Sequence, residues 1–146
     1  MNLERARSDI DAIFQSVLRA LDPATRVQDA IALDDSAIRV GDARYELNEH
    51  GRVVVLGVGK SAVGMARGVE DALGSYLSDG LVVTKRGLGT AERALRHTAV
   101  REASHPVPNE SSIEAGEELL RRAGLLGERD LAIVVISGGG SALIEA

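Results

Sequence analysis

Ile133-Val134-Val135-Ile136-Ser137-Gly138-Gly139-Gly140-Ser141-Ala142-Leu143 carries an apolar, β-branched run into three consecutive glycines. The run reads as a strand buried on both faces. The glycines remove every Cβ from the turn that follows. Its backbone amides can then converge on an anion, the more so where a helix starts at the next residue. Gly57-Val58-Gly59-Lys60-Ser61 follows another apolar strand, Val53-Val54-Val55-Leu56, in the same way. Two phosphate-style loops at strand ends point to a nucleotide or phospho-ligand site.

Outward from these loops the chain alternates regularly. After the strand at 53–56, residues 61–76 place Ala62, Met65, Ala66, Val69, Ala72, Leu73 and Tyr76 on one helical face. Gly80 to Thr84 reads as the next strand, and Thr98 to Ala103 as another. Asn109 or Ser111 caps a further helix, Ser111 and Glu114 having capping-box spacing, and Leu131 to Ile136 closes the series. Strands and helices in this order predict an α/β fold with a doubly wound, mostly parallel, Rossmann-like sheet. Upstream, Ile10, Ile13, Phe14, Val17, Leu18 and Leu21 mark an amphipathic helix over 4–21, and Ala24 to Leu33 a short second helical segment. Ala37-Ile38-Arg39-Val40 and Arg44-Tyr45-Glu46-Leu47 flank Gly41-Asp42 as a small β-hairpin. The expected division is a helical and hairpin extension at 1–51 and a partial Rossmann-like domain at 52–146.

Composition narrows the function. The chain has 146 residues, 17 Lys plus Arg against 22 Asp plus Glu, and a net charge of −5. A mildly acidic chain without a basic stripe argues against a nucleic-acid partner, and its rare aromatics (Phe14, Tyr45, Tyr76) offer no stacking platform. No apolar run approaches the ~18 residues that span a bilayer, and the N-terminus lacks a signal-peptide pattern. A cytoplasmic protein with no membrane partner is expected. The absence of cysteine excludes disulfides and thiol catalysis. No histidines or carboxylates show metal-ligand spacing, so no protein-built metal cage is expected. Lys60 and Lys85 are the only lysines among the 17 basic residues. A retained lysine supplies a compact, mobile charge.

The first loop fits three motifs unequally. Gly59-Lys60-Ser61 resembles the end of a Walker A loop, but Val54 stands where that motif needs glycine. Gly57-Val58-Gly59-Lys60-Ser61-Ala62 fits the dinucleotide pattern G-x-G-x-x-A. Its second strand ends in Thr84-Lys85-Arg86 rather than an acid, leaving an NADP-binding alternative open. The third reading is a phosphate cradle formed by the amides of Gly59 to Ala62, with Lys60 as a point charge and Ser61 as a hydroxyl donor. In open α/β sheets ligands bind outside the carboxyl ends of the strands. Lys60, Lys85, His105 and Ser137 are therefore expected on one rim. His105, before Pro106, is expected to hold its loop by hydrogen bonds. His50 and His97 lie in polar surface stretches.

Val53-Val54-Val55-Leu56-Gly57-Val58-Gly59-Lys60-Ser61-Ala62, Val82-Val83-Thr84-Lys85, Ser104-His105-Pro106-Val107-Pro108 and Ile136-Ser137-Gly138-Gly139-Gly140-Ser141-Ala142-Leu143 occur in that order. The set resembles the N-terminal part of glycerate 2-kinases of the MOFRL type. The His-Pro-x-Pro turn and the Ser-Gly-Gly-Gly-Ser-Ala-Leu loop are its most specific elements. The resemblance implies ATP-dependent phosphorylation of D-glycerate to 2-phosphoglycerate with Mg2+, in a site between two α/β domains. By position it implies Lys60 as the catalytic lysine. Gly57, Gly59 and Ser61, with Ser137, Gly138, Gly139, Gly140 and Ser141, would bind phosphate or substrate, and Lys85 would be an accessory cation. Arg86 departs from the aromatic residue expected after Thr-Lys. Family members are much longer, so the expectation is a truncated sheet and a fragment with little or no activity alone. An exposed sheet edge also leads to an expectation of homo-oligomeric association. The alternative of another class is a non-catalytic module that binds a sugar phosphate or other anion.

Overall fold

The computed structural model describes residues 3–49, 51–88 and 95–145; His50 lies outside them. Apolar spacing, Asp22 and Pro23 set the first two helices, α1 (Leu3–Ala20) and α2 (Pro23–Ala30). Asp22 caps α2, its carboxylate accepting from the Thr25 amide at 2.9 Å, with Pro23 at the first helical position. The helical segment expected to reach Leu33 stops at Ala30. Ile31–Leu33 turns extended as β1 and pairs antiparallel with β2 (Ala37–Val40), which forms the expected hairpin with β3 (Ala43–Glu46). Burial decides this outcome. Ile31 and Ile38 join the main core, which a helical Ile31 on the polar α2 would not do.

The main sheet has four parallel strands: β4 (Val53–Val58), β5 (Leu77–Lys85), β6 (Thr98–Ala103) and β7 (Leu131–Ile136). Between them lie α3 (Ala62–Leu73) and α4 (Glu110–Gly124), and a single-turn α5 (Gly140–Leu143) follows β7. The sheet order is β6-β5-β4-β7. The chain therefore steps outward from β4 to β6, then returns to lay β7 on β4's other side. Alternation along the strands sends Val53 and Val55 of β4, Val82 and Val135 into one core with Ala62, Val63, Ala66, Val69 and Leu73 of α3. Val58, Val83 and Ala103 face the other way, onto Ala115 of α4 and Leu143 of α5. Helices on both faces of a parallel sheet bear out the doubly wound reading.

Two ionic devices fix the frame. At the amino ends of β4 and β7, Asp130 accepts from the Arg52 amide at 2.8 Å and from the Arg52 guanidinium at 2.6 Å. That guanidinium holds the Asp130 carboxyl well below the usual carboxylate range. At the far edge, Glu70 of α3 is buried and accepts from the amides of Arg96 and His97 at 2.7 and 2.9 Å, anchoring the segment that enters β6. Burial pushes the Glu70 carboxyl up, but these amides outweigh it and leave the group below its ordinary value. A lowered pKa means stability that is present above the unfolded-state value and lost as pH falls through the folded one. Glu70→Gln turns an acceptor into a donor against one amide. It is expected to cost about 2–3 kcal/mol at neutral pH and to remove part of the acid-side loss of stability; urea titrations at pH 7 and pH 4 check both.

The helix cap expected at Asn109 or Ser111 is Asn109. Its side chain accepts from the Ser111 amide at 3.0 Å, while its own amide donates to Ser112 Oγ at 3.3 Å. Not every apolar surface is covered. The α1 stripe is exposed, Phe14 at 57%, and on edge strand β7 Val134 and Ile136 are 61% and 67% exposed.

Candidate functional site

The strand order makes β4 and β7 neighbours, so the two glycine loops that leave them are adjacent at the point where the sheet reverses direction. That crevice is where open α/β sheets bind ligands. The loops do more than adjoin; they bond to each other. The Lys60 amide donates to the Gly138 carbonyl at 3.1 Å, and the Ser61 amide donates to Ser137 Oγ at 2.9 Å. The Gly59 amide donates to the Val83 carbonyl at 3.0 Å, and that of Ala62 to the Gly59 carbonyl at 3.1 Å.

This corrects the expectation for the first loop. All the amides from Gly59 to Ala62 are already engaged, so they form no anion cradle. The same bonds remove the donors that a dinucleotide pyrophosphate would use in the Rossmann manner. Gly57 lies inside β4, where a Cβ would collide with Val135 Cγ2 and stand 2.9 Å from the Val135 carbonyl oxygen. Gly59 has φ +130°, and a Cβ there would fall on Ser137 Oγ and 2.5 Å from the Ser137 carbonyl oxygen. Both glycines serve close approach between strands and loops. Ser61 begins α3 without a side-chain cap bond.

The second loop has the opposite character. The Ser137 amide is used by the Val58 carbonyl at 3.0 Å, but those of Gly138, Gly139, Gly140 and Ser141 meet no acceptor among the described residues. Gly139 takes φ +92°, which turns the chain at this point. Gly139 is where three elements meet. A Cβ built there would lie 3.0 Å from His105 Nε2 and 3.1 Å from Lys60 Cε. The chain therefore brings a lysine, a histidine and a run of unpartnered amides around one small volume. Lys60 is exposed, and its ammonium makes no ion pair among the described residues. Lys85 stands exposed at the end of β5, one strand further from β7. Gly138 and Ser141 are exposed, whereas Ser137 and Gly140 are half-buried.

Backbone amides without an acceptor and a lysine ammonium are groups that pair with phosphate oxygens. No group of three or more acidic or histidine side chains among the described residues could hold a metal ion. His105 was expected on one rim with Lys60 and Ser137; its contact with Gly139 depends on β6 and β7 ending there across two intervening strands.

The family described as "Domain of unknown function (DUF4147)" matches residues 9–146. A glycerate 2-kinase of Pyrococcus horikoshii is 40% identical over 128 residues, covering 88% of this chain and 28% of that protein. A putative hydroxypyruvate reductase of Agrobacterium vitis is 37% identical over 134 residues, covering 92% and 28% respectively. A crystal structure of a protein from Pyrococcus horikoshii OT3 superposes with a TM-score of 0.81 at 37% identity, over 97% of this chain and 31% of that one. The chain thus spans less than a third of the length of these relatives. The resemblance to the N-terminal part of glycerate 2-kinases, read from four motifs, holds across nearly all its residues. By its residues and its fold alike, the chain belongs to the DUF4147 family.

Proposed function

We propose that this chain supplies the phosphoryl-handling rim of a cytoplasmic glycerate 2-kinase, which transfers the γ-phosphoryl group of ATP to the C2 hydroxyl of D-glycerate. The observation that carries the reading is Lys60, which makes no ion pair among the described residues, near the four amides of Gly138 to Ser141, which meet no acceptor among them. Phosphoryl transfer asks little covalent chemistry of a protein; positioning and charge neutralisation supply most of the catalysis. Lys60 neutralises charge on the equatorial oxygens, and the second-loop amides donate to them from fixed positions. Ser137 holds the first loop in register through the Ser61 amide, and Lys85 adds positive potential along the rim. Among the described residues no acidic cage would hold Mg2+, which would be carried on the ATP phosphates and supply positive charge to them. Glycerate is the small-molecule partner, and the name of the Pyrococcus relative supports it.

The test is phosphorus NMR of the full-length polypeptide incubated with D-glycerate, ATP and Mg2+. A phosphomonoester signal coupled to the C2 proton is expected. ATP and glycerate left unchanged, with second-loop amides insensitive to 2-phosphoglycerate, would sink the reading.

A further inference from the structure

His105 follows β6 in the turn Ser104-His105-Pro106-Val107-Pro108. The expectation was that its ring would hold this turn by hydrogen bonds. Instead Ser104 Oγ closes the turn on the Val107 carbonyl at 2.7 Å, and the half-buried imidazole has no hydrogen-bond partner among the described residues. Its free edge points at the second glycine loop, Nε2 and Cδ2 lying 3.0 and 3.1 Å from where a Gly139 Cβ would stand. Lys60 Cε is 3.1 Å from that same point. The ring thus packs against Gly139 beside the Lys60 side chain, and its Nε2, without a hydrogen bond among the described residues, lies toward the second loop.

We propose that His105 is the proton acceptor of the transfer, a role that rests on the kinase reading above. In the tautomer protonated on Nδ1, Nε2 takes the proton of the attacking hydroxyl. The hydroxyl oxygen forms the new O–P bond, and the P–O bond to the nucleoside diphosphate breaks, its electron pair leaving on that diphosphate. Imidazole is the side chain suited to accept a proton near neutral pH, whereas the Lys60 ammonium has no lone pair to offer. The charged surroundings are of mixed sign. Lys60 comes from the β4 loop; Lys85 and Arg86 end β5, the Arg86 amide donating to the Ala103 carbonyl at 3.2 Å. Glu102 lies in β6 itself, with Oε1 accepting from the Gly87 amide at 3.0 Å. Glu110 opens α4, and residues 137–143 bring no titratable side chain. Glu102 is thus already engaged at the neighbouring turn, and His105 is the base at Gly139.

Two measurements test this. The chain has three histidines, so imidazole proton–nitrogen spectra report His105 against His50 and His97 as internal references. Titration of the 146-residue chain with 2-phosphoglycerate is expected to move the His105 signals and the Gly138 to Ser141 amides together. Movement of the amides alone overturns the proposal and leaves the kinase reading standing; movement of neither overturns both. In the full-length polypeptide, His105→Asn is expected to lower kcat by about 10²–10³-fold at nearly unchanged KM for ATP. It should also flatten the acid limb of the pH–kcat profile. His105→Gln, placing an amide at greater reach, serves if the first variant does not fold. A folded variant that keeps the parent's acid limb overturns the proposal, and a parent without glycerate-dependent turnover removes the kinase reading and this step with it.

Discussion

Lys60→Ala in the full-length polypeptide is expected to lower kcat for glycerate phosphorylation by about 10²–10³-fold, the scale of losing one preorganised charge-stabilising donor. Stability should move by no more than about 0.5 kcal/mol, because the side chain is exposed and makes no ion pair among the described residues. The two readouts together identify the role. A loss in kcat without a loss in urea midpoint belongs to the transition state, whereas a loss in both would mean the loop had come apart. Lys60→Arg retains the charge but offers a broader, planar group against Gly139 and His105, so only partial recovery is expected. A kcat reduced by less than about tenfold in Lys60→Ala would show that charge at this position is dispensable.

Gly59→Ala is expected to show the largest loss of stability. Its φ of +130° disfavours any side chain, and the added methyl group would meet Ser137 Oγ and the Ser137 carbonyl. Strain and overpacking of this kind each cost about 1–3 kcal/mol, so a combined loss of roughly 2–6 kcal/mol is expected in urea unfolding. Gly138→Ala is the control. A Cβ at Gly138 meets nothing within 4 Å, and stability should stay within about 1 kcal/mol of the parent. Equal midpoints for the two variants would mean that the loops do not interlock as described.

Much of this fold is legible in the sequence because its strands are apolar runs with clean ends. Leu131–Ile136 and Thr98–Ala103 have the expected bounds, and the cap of α4 falls on one of the two residues expected. Val53–Val58 extends beyond Leu56 because Gly57 fits a tight strand contact with Val135 that no single-strand pattern reveals. β1 reads as helix in isolation, since Gln28 to Leu33 carries no turn signal and pairing with β2 is a long-range event. The site was legible in its ingredients more than in its division of labour. Strand order, which no local pattern encodes, sets β7 beside β4 and gives two of the first loop's amides, those of Lys60 and Ser61, to the second. Among the described residues the amides without an acceptor are consequently those of Gly138–Ser141 rather than those of Gly59–Ala62. His105 was legible as part of a motif and was expected on one rim with Lys60, but their convergence on Gly139 needed the third dimension.

The bonds from Lys60 to Gly138 and from Ser61 to Ser137 Oγ have a thermodynamic side. Two loops tied to each other and to the carbonyls of Val83 and Val58 cannot open one at a time, so their amide hydrogens should exchange with solvent as one cooperative unit with the neighbouring strands. Loops that are ordered before a ligand arrives lose little conformational entropy when it binds. Affinity at this rim is therefore governed by how well an incoming group matches a fixed geometry, and it should change little with mutations that merely loosen the surface elsewhere.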